Sequence, residues 1–206
     1  MIEILQRGGP LLWLLVLNSI LALVIFFERL YHFQRATINT DEFLRGLRNV
    51  LQRGNITEAL SICDTTPGPV AHILRAAVLK HDRGREEVRQ AIEDAGITEV
   101  PRLEKHLVGL ATIAQVSPLI GLLGTVVGMI EAFSQVEKLG YLRVDHLSSG
   151  IWVALLTTAC GLAIAVPAYV AYNYLVRRVD GFVLEMERSA VEILNFFSER
   201  EGGKTQ

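Results

Sequence analysis

Charge is absent from two long stretches of this 206-residue chain. Between Val108 and Ile130, and again between Leu147 and Val176, there is no Asp, Glu, His, Lys or Arg. Neither stretch therefore holds a group that takes up and releases charge inside a membrane, usually a carboxylate. Either the chain carries no ion, or the titrating group comes from a partner. Cysteine is scarce as well. Cys63 and Cys160 are the only two, one in an Arg-rich segment and one in an apolar run, so no disulfide is expected. Strand-like alternation and internal repeats are missing. No Gly-rich phosphate loop follows a strand, no Ser/His/Asp set stands at credible positions, and the five histidines show no ligand spacing. These absences predict no catalytic residues, no metal site and no cofactor, so the chain does not read as an enzyme. A net charge of −2 argues against nucleic acid as a partner.

What is present is apolar: half of all residues, most concentrated in three blocks at 10–27, 108–133 and 151–176. At about 1.5 Å per residue each reaches close to or beyond a hydrocarbon core roughly 30 Å thick. The expected fold is all-α, a polytopic membrane protein with three transmembrane helices. The first block has Arg7 as the only basic residue ahead of it and no small-x-small cleavage site behind it, so it is read as a span and not a removed signal. Arg and Lys crowd the 28–107 segment, and Arg177-Arg178 follow the third block. The positive-inside rule puts residues 1–9 and the 134–150 link outside, with 28–107 and the 177–206 tail in the cytoplasm.

The 28–107 segment reads as short helices. Thr40-Asp41-Glu42 predicts an N-cap with an acidic first turn, and Asn55 with Glu58 predicts a capping box. After the break at Thr66 to Pro69 a helix is expected over 70–81, then a charged helix through Ala95. From about Glu99 the pattern predicts one continuous helix into the second span, with Pro101 in its first turn. Pro118 is expected inside the span. The helical pattern also continues from the third span through Phe197, so that long helices extend into a helical cytoplasmic domain.

Inside the second block, Ala114, Ser117, Gly121, Gly124, Thr125, Gly128 and Ala132 follow one another at three- and four-residue steps, and leucines and valines take the other side. The third block repeats this with Ala154, Thr158, Gly161, Ala165 and Ala168, and Thr157 adds a hydroxyl. Matched small faces suit an antiparallel hairpin in which Gly121, Gly124, Gly128, Gly161 and Ala165 allow close packing. The hydroxyls of Ser117, Thr125, Thr157 and Thr158 either bond their own helix carbonyls or face a polar interior. Glu131, the nearest acid, is either a boundary residue or the mouth of an entry path. Asn18 and Asn173 are expected to bond neighbouring helices.

The run from Pro118 through Gly121, Gly124, Thr125 and Gly128, with Ala154 through Thr157, Thr158, Gly161, Pro167 and Asn173, resembles the MotA/TolQ/ExbB proton-channel family. Arg7-Gly-Gly-Pro-Leu-Leu-Trp13 and Glu28-Arg29-Leu30 resemble its ExbB branch. The resemblance covers nearly the whole chain. It implies a homopentamer in the bacterial inner membrane, N-terminus periplasmic, with spans two and three around a pore. Single-span helices of an ExbD-like partner would occupy the pore, their membrane Asp carrying the proton, and work would pass through a TonB-like protein. Thr125 and Thr158 fall on the family's two pore-facing threonines, and Thr157, Ser117 and Glu131 join them as candidates for the proton pathway. One position departs: many relatives carry Glu five residues before the second threonine, where this chain has Val153. The leading expectation is an ExbB-like stator subunit that energises TonB-dependent outer-membrane transport. The alternatives are a non-conducting membrane scaffold for partner proteins, which Val153 motivates, and a TolQ- or MotA-type motor subunit.

Overall fold

A computed structural model describes residues 9–139 and 144–202. Arg7 of the opening motif, Arg143 of the link and Gly203 lie outside the described residues. Among the described residues seven helices follow one another: α1 Gly9–Ala36, α2 Thr40–Gln52, α3 Ile56–Thr65, α4 Pro69–Leu79, α5 Arg85–Glu104, α6 Leu107–Leu139 and α7 Val144–Gly202. Among the described residues there is no strand. The fold is all-α, and three helical stretches among the described residues are long and apolar enough to cross a membrane. The chain divides into two compact units. One holds the chain up to Glu28 together with His106–Tyr174; the other holds Arg29–Lys105 and the chain from Leu175 onward.

The first unit is packed small side in. Ala132 and Ala154 are 1% exposed, whereas Leu119 and Leu155 are 63% and 62% exposed. A soluble domain buries its large aliphatic side chains. Reversal of that order is what a lipid-facing surface requires, because lipid tails solvate leucine as well as another leucine does. Leu12, Leu15 and Ala22 of α1 are buried, and Trp13, Val24 and Phe27 point outward.

α6 does not continue from α5. Where the sequence predicts an unbroken helix from about Glu99, the chain breaks at Lys105–His106, and His106 takes φ +69°. A non-glycine residue in that region is uncommon. The break is held by a contact 78 residues away, His106 Nδ1 to Glu28 Oε2 at 2.8 Å. Leu110 N–H donates to the His106 carbonyl, starting α6.

The second unit is ordinary globular packing. Phe33 of α1 is buried and meets Phe182 of α7 edge to face at 5.6 Å. Leu47, Leu51, Leu74, Val78 and Ile193 of this unit are also fully buried. Each such side chain contributes roughly 1.5–3 kcal/mol by leaving water. Arg48 ties α2 to α7, pairing with Glu192 at 2.8 Å and lying 5.4 Å over the Phe196 ring. The N-cap of α2 is Asn39, not the Thr40 segment, and accepts from the Glu42 N–H. Thr40 is instead the first helical residue and donates to Glu185 Oε2 at 3.0 Å. Asn55 caps α3 as expected, accepting from the Glu58 N–H and donating to its carboxylate at 2.8 Å. α4 spans Pro69–Leu79, close to the expected 70–81. The charged helix runs past Ala95 to Glu104, so Pro101 lies inside α5, not in a first turn. An acidic start at Glu86 and Glu87, and Arg89 bridging Glu86 and Glu93, favour a helix begun at Arg85. Pro101 then removes one bond to the Ile97 carbonyl without ending it.

Cys63 of α3 is 4% exposed, and burial, then Asp64, push its thiol up to about 11 despite Arg75. Thiolate is the reacting species, so a rise of about two units from the ordinary value leaves roughly 100-fold less of it at neutral pH. In a Cys160→Ser background, maleimide should modify native Cys63 about 100-fold more slowly than the denatured chain. Equal rates would place this thiol in an open environment.

Candidate functional site: the hairpin of α6 and α7

The two small stripes meet. A Cβ built at Gly161 would lie 2.6 Å from the Ser117 carbonyl oxygen, and one at Gly121 3.0 Å from the Thr157 carbonyl oxygen. One at Gly128 would stand 3.0 Å from Ala154 Cβ, and one at Gly150 2.7 Å from Ala132 Cβ. The paired numbers rise on α6 as they fall on α7, so the hairpin is antiparallel. Backbones this close leave no room for larger residues at the crossing points. Ala165 and Ala168 are buried further along the same stripe. Gly150 was absent from the sequence-derived packing residues. Its signal was there, four residues before Ala154, but it falls ahead of the third apolar block.

The hydroxyls divide into two kinds. Ser117 is fully buried and donates to the Ile113 carbonyl at 2.7 Å, near the bond that Pro118 cannot make to Ala114. Thr157 is 1% exposed and also stays within its own helix, reaching the carbonyls of Ala154 at 2.9 Å and Val153 at 3.2 Å. Asn173 does likewise, donating to the Tyr169 carbonyl at 3.0 Å and not to a neighbouring helix as expected. Thr125 and Thr158 cross between helices. Their oxygens are 2.5 Å apart, and Thr158 also reaches the Gly121 carbonyl of α6 at 2.9 Å. Each hydroxyl has one proton. If Thr158 donates to Gly121, Thr125 donates to Thr158, and one lone pair of Thr158 remains for another donor.

Glu131 does not join this pair. Together with Val153, Thr157, Gly124 and Gly128 it lines a cavity of about 260 Å³ that is closed on one side by Gly9–Leu11. Thr125 opens instead on a wide apolar groove with Leu122, Val126, Met129, Ile130 and Phe133. The hairpin therefore presents a hydroxyl pair on one face and a carboxylate beside a buried threonine on another. Among the described residues no group of three His, Cys, Asp or Glu side chains is placed to hold a metal.

An inverted-packing hairpin with a polar pair in a stretch free of charged residues defines an integral membrane protein whose polar chemistry lies between helices. The chain belongs to the MotA/TolQ/ExbB proton channel family, whose model matches residues 65–188, more than half its length. It is 29% identical over 189 residues to the putative biopolymer transport protein ExbB homolog of Methanothermobacter thermautotrophicus, covering 90% of this chain and 66% of that one. The biopolymer transport protein ExbB of Salmonella typhimurium is 29% identical over 194 residues, with 87% and 77% covered. The Tol-Pal system protein TolQ of Haemophilus influenzae is 44% identical over 82 residues, 40% of this chain and 36% of that one. Relatives named ExbB match the greater share of the chain, and it groups with the ExbB-like branch. The alignment spans about two thirds of the first relative's length.

Proposed function

We propose that this chain is an ExbB-like stator subunit of a motor driven by the proton-motive force in a bacterial inner membrane. Five copies form a ring, with spans at 10–27, 108–133 and 151–176, the N-terminus periplasmic and the tail cytoplasmic. ExbD-like single-span helices sit in the ring, and their motion energises TonB-dependent outer-membrane transport.

The observation that carries this reading is the Thr125–Thr158 pair within stretches, 108–130 and 147–176, that hold no charged residue. Threonines can solvate a proton carrier but do not titrate near neutrality. A partner carboxylate supplies the titrating group that the stretches around the pair lack, and the hydroxyl pair supplies an acceptor oxygen beside its path. Ser117 and Thr157 line the same hairpin, and Glu131 stands at one end of it as an entry group. A second reading, a non-conducting scaffold, rests on Val153, which faces the cavity of Glu131 and Thr157 without a carboxylate of its own.

Co-reconstitution with a single-span partner carrying a membrane Asp separates the two. Proteoliposomes holding the assembled complex should acidify in response to an imposed gradient, and those holding this chain alone should not. An assembled complex that passes no protons would leave the scaffold reading standing.

A further inference from the structure

A cavity of about 280 Å³ in the second unit is lined by His32 and Arg35 of α1, Gly68 and His72 at the start of α4, and Glu99 and Arg102 of α5. At about 30 Å³ per water its volume exceeds that of several waters. Gly68 makes the wall: at φ +115°, a Cβ there would sit 2.6 Å from the Ala36 carbonyl oxygen. Only glycine allows the α3–α4 turn to press this closely on the end of α1.

The charges facing the cavity are unequal. Glu99 is 9% exposed, and the Arg102 guanidinium lies 3.4 Å from its carboxylate at the wall. Arg35 adds a second guanidinium, leaving a net positive charge before either imidazole is protonated. Both cations are arginines, whose planar fork suits the bidentate geometry of a phosphate better than the point charge of lysine does. α4 begins at this wall with Pro69 in its first turn and no side-chain cap, so its N-terminal dipole adds to the same potential. Position narrows the source. His32 and Arg35 follow the first apolar run, which ends at Phe27, by five and eight residues, next in sequence to a membrane boundary.

We propose that this cavity is a phosphate-binding site that takes the headgroup phosphate of an anionic phospholipid or a soluble phosphate. Basic pockets at membrane boundaries bind anionic headgroups through these same contacts.

The test uses the full chain. Native mass spectrometry from nanodiscs of phosphatidylcholine with phosphatidylglycerol should show phosphatidylglycerol retained by the wild type. Arg35→Gln/Arg102→Gln should weaken retention about tenfold, and Arg45→Gln/Arg53→Gln, at exposed arginines outside the cavity, should leave it unchanged. Arg35→Gln alone spares the Glu99–Arg102 pair and should still weaken retention several-fold, which covers misfolding of the double variant. In a second arm, inorganic phosphate is titrated against detergent-solubilised protein and thermal unfolding is followed. Protection of the wild type but not of Arg35→Gln would assign the site to a soluble phosphate, whereas lipid retention without phosphate protection would assign it to the headgroup. Equal behaviour of wild type and cavity variants in both arms, or equal loss in the control pair, would overturn the site.

Discussion

Gly124→Leu should pull α6 and α7 apart and cost the protein its assembled form. A Cβ at this position would overlap the Thr157 Oγ1 and stand 2.7 Å from its Cβ and 3.2 Å from its Cγ2. Thr157 cannot turn aside cheaply: it is β-branched, 1% exposed and bonded to two carbonyls of its own helix. The helices must therefore separate, and separation spreads. Gly121, Gly128, Gly150 and Gly161 each hold a close approach to the other helix, and all of those contacts lengthen together. Overpacking one site typically costs about 1–3 kcal/mol, and loss of several shared contacts adds to that. Size-exclusion chromatography and thermal unfolding in detergent should show a smaller or aggregated species melting well below the wild type. Leu119→Ala, at an outward-facing residue, should leave both unchanged. A Gly124→Leu protein that elutes and melts like the wild type would mean that the small stripe is not a packing face.

This outcome was largely legible in the sequence, because helical packing between small residues is written in their spacing. Three- and four-residue steps on both spans foretold the two faces, and the antiparallel pairing follows from the short connection between them. The division of labour among the hydroxyls was not legible. Thr157 and Thr158 are adjacent and chemically identical, yet a 100° turn of the helix sends one against Gly124 and the other to Thr125. The break at Lys105–His106 was hidden for a different reason. Helical periodicity runs on both sides of it, and the group that holds it, Glu28, lies 78 residues away. Asn39 in place of Thr40 as the α2 cap is a near tie in cap preference, settled by Glu185 on α7, which engages the threonine hydroxyl. Short-range chemistry was readable, and choices decided by distant partners were not.

Thr158→Val should leave the protein folded and stop it working. Valine keeps the branched shape, so the close packing around Gly121 survives. What goes is the donor to the Gly121 carbonyl and the acceptor for Thr125. Neither group is stranded, because Thr125 already lies 3.2 Å from the same Gly121 carbonyl and can donate there. The stability cost is then that of an ordinary hydrogen bond, about 0.5–1.5 kcal/mol, and the oligomer and its melting should change little. The functional cost is larger. With the Thr158 oxygen removed, the lone pair it held between the spans for a water or a protonated partner carboxylate is lost, and only the Thr125 oxygen remains. Partner-dependent proton flux in proteoliposomes should fall at least tenfold, and energised transport in cells should fall with it. Thr158→Ser, which restores the hydroxyl without the methyl, should recover most of both. Full flux in Thr158→Val would remove the hydroxyl from the mechanism. Loss in both Thr158→Val and Thr158→Ser would point to packing, because the serine variant keeps the oxygen and lacks only a methyl group.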